Sequence, residues 1–452
     1  MPVSFSTDIR VVDVRIDYEH YPFRSPLKFG GAIVDNMAVL NAHIRVETRS
    51  GQVADGVGAM PLGNVWSFPS AQLGFDDTME AMKDLAERIV PVVAGLVDYD
   101  HPVRHALGFE QPILDLAESV TADRGLVEAM PKLCALVVAS PFDAALHDAF
   151  GKAIGLPSWQ ALGPDFLSDD LGVLLGDAFA GRRIEGCLRD APAESLGLYH
   201  LVGALDPLTA DDVATPIGDG HPETLMDWVR QDGLTHLKIK LNGDDLAWDV
   251  DRVASIHSAA TEVHEKIGVH ELAYSLDFNE RCENVDYLIG VFDRLREVNP
   301  DAFDAIHYVE QPTSRHLSRD GDQDMHRAAE IRPVVIDESL VDLETLLLAR
   351  DLGYSGAALK TCKGHTHALL MAAAAHDLGL FLCVQDLTCP GRSFIHSAGL
   401  AARVKGIETI EGNARQFIPQ ASVEWAANMP ELFRVQNGRI DTSGLTGAGL
   451  SY

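Results

Sequence analysis

Positive charge is scarce in this sequence: 36 Lys and Arg stand against 67 Asp and Glu, a formal net charge of −31. Such a field repels nucleic acid and anionic lipid, so neither is expected as a partner. Cysteine is sparse too, with six residues in 452, at Cys134, Cys187, Cys282, Cys362, Cys383 and Cys389. Their spacing offers neither a CxxC pair nor a disulfide framework, which speaks against structural zinc and for a reducing cytoplasm. Long apolar runs are also missing. The most apolar stretch, 369–384, is broken by His376, Asp377 and Gly379, and Met1-Pro2-Val3-Ser4 does not open a charged-then-apolar leader. Neither membrane insertion nor export is therefore expected.

The composition that remains is ordinary for a globular protein, with 46% hydrophobic and 23% charged residues. The length predicts two domains, one large enough for a barrel of about 250 residues. From about residue 234 onward, short β-branched runs alternate with amphipathic stretches, the pattern of parallel strands joined by crossover helices. Strands are predicted at 236–241, 274–279, 306–311, 333–339, 356–361, 381–386 and 406–411, with 199–204 supplying an eighth. No early strand runs into a GxGxxG turn, so a closed barrel is preferred to an open doubly wound sheet.

Before the barrel, alternation at 8–16 and 37–48 predicts antiparallel strands, and 78–97 a helix. The expected fold is thus a (β/α) TIM-type barrel of seven or eight units over 141–420, carrying insertions around 163–222. An α+β capping domain over 1–140 precedes it and is completed by 421–452. The glycine-rich tail, 433–450, reads as a hairpin returning to that cap.

The chemistry gathers where the predicted strands end. Lys238 and Lys240 close the second strand, Asp277 the third, Glu310 the fourth, Asp337 the fifth and Lys360 the sixth, so successive strands each bring an ionisable group to the mouth where barrel enzymes build their sites. Period-2 geometry puts Lys238 and Lys240 on one face, and likewise Asp277 and Asn279. Apolar runs ending in carboxylates, as in Tyr308-Val309-Glu310, would bury charge at a high cost unless a cation compensates it. Hard oxygen donors without nearby Cys or His suit Mg²⁺, with Mn²⁺ as a substitute. A metal so placed would stabilise the dianion formed when the carbon beside a substrate carboxylate loses its proton. Lysines crowded by other cations can act as bases near neutral pH; Lys238 is the expected tuner of Lys240, and Lys360 approaches from the opposite wall.

These residues resemble the enolase superfamily, and the Lys-Ile-Lys strand with the sixth-strand Lys is similar to its muconate-lactonizing branch more than to its mandelate racemase branch. Pro141-Phe142-Asp143-Ala144-Ala145-Leu146-His147-Asp148, followed by Leu156-Pro157-Ser158-Trp159, is similar to that family's connection from cap to barrel. The resemblance implies Asp277, Glu310 and Asp337 as metal ligands and Lys240 and Lys360 as bases. It also implies Asn279, Glu338, Glu411 and Asp386 as substrate-binding or supporting groups, and places Lys28, Phe29-Gly30 and Trp66 where capping loops touch substrate. Two departures stand out: Lys360-Thr361-Cys362-Lys363-Gly364-His365 has one Gly where the family has a Gly-Gly pair, and strand seven ends Gln385-Asp386 with no His.

The function implied is Mg²⁺-dependent α-proton abstraction from a small carboxylic acid by a homo-oligomeric enzyme. A base on each side of one carbon makes an isomerase (racemase, epimerase or cycloisomerase) the first expectation. A lyase of the acid-sugar dehydratase kind is the second, and a metal-binding relative without catalysis or a Schiff-base aldolase follow.

Overall fold

The structure, a computed structural model, describes residues 4–29, 32–319 and 323–452. Gly30 and the side chains of Lys28 and Phe29 lie outside the described residues, as do Met1, Pro2 and Val3.

The cap is a three-stranded antiparallel sheet, β1 (Ile9–Phe29), β2 (Ala32–Thr48) and β3 (Val53–Pro61), with three long helices on one face. In β2, Leu40, Ala42, Ile44 and Val46 are buried and alternate with polar Asn41, His43, Arg45 and Glu47, so the period-2 pattern sets which face meets the helices. The expected strands at 8–16 and 37–48 are therefore present, but both run further and pair into one long hairpin. β3 and the helix Pro102–Asp123 were not anticipated. The helix expected at 78–97 spans Phe75–Ala94 and starts where Asp77 accepts the Gly74 backbone N–H at 2.9 Å.

The helix Lys132–Ile154 joins the two domains, crossing the boundary placed at residue 140. Its most apolar window has a mean hydropathy of 1.4, enough by length and composition to cross a membrane, yet that window is wholly buried inside the protein. The helix is apolar all round because the cap packs on one side and barrel helices on the other. Gly56 and Gly58 of β3 allow the close approach: a Cβ on Gly58 would sit 1.9 Å from the Pro141 carbonyl oxygen, and one on Gly56 2.3 Å from that of Ala145.

The second domain is a closed barrel of eight parallel strands: β4 (Ser195–Val202), β5 (His236–Lys240), β6 (Ala273–Asp277), β7 (Ile306–Glu310), β8 (Val334–Ile336), β9 (Gly356–Leu359), β10 (Phe381–Val384) and β11 (Thr409–Glu411). Each pairs with the next, and β11 pairs back onto β4. The inward faces form layers. Tyr199, Tyr308, Val335, Ala358 and Cys383 pack as one buried cluster. Two residues further along their strands come Glu310, Asp337, Lys360 and Gln385, so one pleat separates an apolar plug from a charged layer above it.

The tail departs from expectation. Instead of adding to the cap, β12 (Arg439–Asp441) pairs antiparallel with the first residues of β4, below the point where β5 takes over that edge. Leu198 N–H donates to the Gly438 carbonyl at 2.8 Å. This edge of β4 is free because β5 pairs only from Tyr199 onward, and a short strand satisfies it. Only the last few residues touch the connecting helix, where Leu450 N–H donates to Asp148 Oδ1 at 3.0 Å. Of the insertions, the stretch before β4 folds into short helices, including Leu171–Leu175 and Ile184–Cys187, and the second forms the loop preceding the helix Leu225–Asp232.

Candidate active site

At the C-terminal ends of the strands the register lines up the charged residues. Lys240 pairs with Asp277, and Asp277 with Glu310. Glu310 pairs with Val335, so Asp337 lies one pleat higher on the same face. The side chains are buried: Lys238 is 2% exposed, Glu310 1% and Asp337 0%.

Lys238 sits at the centre. Its Nζ lies 2.7 Å from Glu310 Oε2, 2.9 Å from Glu411 Oε2 and 3.3 Å from Asp277 Oδ2. Burial opposes its charge, but Glu310, Glu411 and Asp277 outweigh burial and hold it well above the ordinary lysine range. Lys240 donates to the same Asp277 oxygen and lies 3.3 Å from Asn279 Oδ1. On the opposite wall Lys360 Nζ is 2.7 Å from Asp337 Oδ2 and 4.5 Å from the centre of the Trp66 ring. Lys360 too is held above its ordinary range, Asp337 outweighing burial. Sequence reasoning thus named Lys238, Lys240, Lys360, Asp277, Glu310 and Asp337, and the fold brings all six to one place.

The supporting residues divide. Glu411 holds Lys238 and accepts from Asn413 Nδ2 at 3.0 Å. Glu338 accepts the Trp66 indole N–H at 2.9 Å, so the cap supplies one wall of the site. Asn279 N–H donates to Asp277 Oδ1 at 2.8 Å. Asp386 spends its oxygens on the backbone N–H groups of Thr388, Cys389 and Asn413, and so shapes a turn.

Other contributors were not visible in the sequence. Gln385 donates to Glu310. Lys363 is buried and lies 2.5 Å from the Asp337 carbonyl oxygen and 3.3 Å from its Oδ1; burial, then Lys360, lowers its pKa. Arg315 grips Glu280 through its fork and donates to the Trp66 carbonyl at 2.9 Å. Their sequence signal was weak, since one buried Lys or Gln looks like any other. His365 and His367, near the sixth strand in sequence, are turned elsewhere: the His365 ring packs, tilted, against those of His147, Trp159 and His396.

Backbone geometry marks the same place. Asn279, Glu280 and Gln311 have φ of 50°, 65° and 30°, a region that side-chain-bearing residues enter at a cost of about 1–3 kcal/mol each. All three follow directly on the ends of β6 and β7. The turn lets Gln311 Oε1 accept the Asp337 N–H at 3.0 Å.

Charge in the cluster does not balance. Asp277, Glu310, Asp337, Glu338, Glu411 and Asp386 face four lysines, Lys238, Lys240, Lys360 and Lys363. The excess shows in the acids: burial and then Asp277 push Glu310 up to about 8, and burial and then Asp337 push Glu338 well above the carboxylate range. Asp277 goes the other way, Lys240 and Lys238 overcoming burial to hold it at about 2.

No three Asp, Glu, His or Cys side chains among the described residues converge at metal-ligand spacing, because each acid is turned onto a lysine. The donor chemistry nonetheless fits a hard divalent ion. Three carboxylates stand on adjacent strand ends, Asp337 Oδ2 makes no hydrogen bond beyond its ion pair with Lys360, and the unbalanced charge is that of one divalent cation. A cavity of about 90 Å³ opens beside them, lined by Lys238, Lys240, Glu310, Asp337 and Lys360 and roofed by Phe23, Leu27 and Trp66 of the cap.

Comparison with known proteins agrees with this picture. Residues 222–452 match the family described as "Enolase C-terminal domain-like". Muconate cycloisomerase 1 of Rhodococcus opacus is 29% identical over 204 residues, covering 44% of this chain and 47% of that protein, so the chain spans about half the length of this curated relative. Among solved structures, the muconate lactonizing enzyme from Pseudomonas fluorescens complexed with muconolactone superposes with a TM-score of 0.61 at 19% identity, over 98% of this chain and 95% of that one. The dipeptide epimerase from Enterococcus faecalis complexed with Mg and the dipeptide L-Leu-L-Tyr gives 0.60 at 16%, over 98% and 99%.

Proposed function

Since the chain belongs to the enolase superfamily and is muconate-lactonizing-enzyme-like, we propose that it is an isomerase (a racemase, epimerase or cycloisomerase) that moves a proton on the carbon beside a small substrate's carboxylate. The observation that carries this reading is the placement of Lys240 and Lys360 on opposite walls of one cavity, with Asp277, Glu310 and Asp337 between them.

Asp277, Glu310 and Asp337 would hold a divalent cation, with Mg²⁺ the expected ion and Mn²⁺ a substitute. When bound, it supplies positive charge to offset the negative charge that grows on the substrate carboxylate as the carbon–hydrogen bond breaks. The lysines do the rest. With Asp277 and Asp337 engaged by the cation, Lys240 and Lys360 would be freed of their present ion pairs to act as the two bases. One amine takes the proton and the other returns one from its own side, so configuration inverts; in a cycloisomerase the substrate's own carboxylate would instead add to a carbon–carbon double bond, and one lysine would deliver its proton to the enolate carbon so formed. Lys238, tied to Glu310, Glu411 and Asp277, keeps its proton and holds the wall against which Lys240 works. Phe23, Leu27 and Trp66 of the cap shield the cavity from water.

The test is proton exchange in D₂O with Mg²⁺ across a panel of carboxylic acids and N-acylated or dipeptide substrates. Deuterium should enter at the α-carbon, EDTA should stop it, and Lys240→Ala and Lys360→Ala should each cut turnover by about a thousandfold or more. Full turnover in either variant would refute the two-base scheme. Product lighter than substrate by one water would assign a lyase instead.

A further inference from the structure

Lys363 takes no part in those proton transfers, and its position shows why. It lines an apolar seam cavity of about 190 Å³ between the cap helices and the helix His365–Asp377, alongside Ile113, Leu370 and Met371. From there its Nζ reaches the Asp337 backbone oxygen and Oδ1, whereas Lys360 approaches Oδ2 from the substrate cavity. The two lysines thus grip one carboxylate from two sides, and only Lys360 can meet a substrate. Lys363 belongs to the 3-10 turn Thr361–Lys363 and is fixed by the apolar packing around its stem.

We propose that Lys363 is a positioning residue that sets the strength of the divalent-cation site: a fixed counter-charge behind Asp337 that leaves only Oδ2 to donate and keeps cation binding weak until an anionic substrate is present. The inference rests on the cation reading above. A positive charge held against a ligand carboxylate repels an incoming cation and competes for the same oxygen. A substrate carboxylate beside the cation adds negative charge that offsets the repulsion from Lys363, so cation and substrate should bind with positive coupling.

Mn²⁺ binding followed by electron paramagnetic resonance, without substrate, separates the alternatives. Lys363→Met, which keeps the stem's volume in the seam and removes the charge, should tighten Mn²⁺ binding about tenfold or more, while Lys363→Arg, which keeps the charge, should stay within about threefold of wild type. A lysine that merely braces the fold would weaken binding in both variants, and that result overturns the proposal. Should Lys363→Met not fold, Lys363→Gln takes its place with the same expectation, and loss of more than about tenfold in Lys363→Arg alone is overturning. Wild type that binds no Mn²⁺ even with the panel of carboxylic acids present would remove the cation reading itself. Wild type that binds, with Lys363→Met equal or weaker, would remove only the role of Lys363.

Discussion

At the scale of single residues, the site is an arrangement of ion pairs in which no lysine has one partner to itself. Lys238 and Lys240 share an Asp277 oxygen, and Lys360 and Lys363 share Asp337. Breaking a buried pair on one side leaves an uncompensated charge, which is why these residues read as machinery and not as decoration. Arg315 shows how far the arrangement extends. Its side chain is 14% exposed, it holds Glu280 through both arms of the fork, and it carries the Trp66 carbonyl. A lysine cannot span both partners. Arg315→Lys is expected to cost about 2 kcal/mol of stability and to loosen the Trp66 segment; urea denaturation and the fluorescence of the Trp66 region, compared with a Trp66→Phe background, would show it.

At the scale of elements, the long β1–β2 hairpin covers the cavity, which Phe23, Leu27, Val34, Asn36 and Met37 line. Arg24, on its way to the tip, donates to both Asp219 oxygens and to the Pro222 carbonyl, which ties the hairpin to the loop inserted after β4. An insertion without evident purpose in the sequence thus anchors the cover of the site. Arg24→Ala should leave the lysines and acids in place and raise KM by about tenfold with little change in kcat; equal loss in kcat would mean that the hairpin does more than retain substrate. The strand ends were legible from sequence because they combine two independent signals, an apolar run and an ionisable last residue. The tail was not. A Gly-flanked hairpin signal says that a strand turns, and the free edge it joins is created only when β5 begins to pair late on β4. Lys363 was hidden for a similar reason: it follows Lys360 by one tight turn, and only the 3-10 geometry swings it behind Asp337.

At the scale of the whole molecule, burial of histidine couples stability to pH. His365 Nδ1 and His396 Nε2 lie 2.7 Å apart between the connecting helix and two barrel helices, and burial lowers the pKa of His396 to about 3 and of His365 well below its ordinary value. A histidine held neutral in the fold contributes stability above its unfolded value, near 6.5, and loses it as pH falls toward the folded one. Replacing His396 by Gln should therefore shrink the difference in unfolding free energy between pH 7.5 and pH 5 by about 2 kcal/mol, measured by urea titration at the two pH values; an unchanged difference would mean that His396 is not the proton acceptor on unfolding.

One further consequence follows from β12. Ser195, where β4 begins, is 244 residues from Arg439, its hydrogen-bonding partner on β12. On a ribosome making roughly 5–20 residues per second, the barrel's first strand therefore emerges many seconds before either of its late neighbours, β11 and β12, exists. The nascent chain must carry β4 with one edge bare through most of its synthesis, a window in which a chaperone would find it and a stalled polypeptide would aggregate.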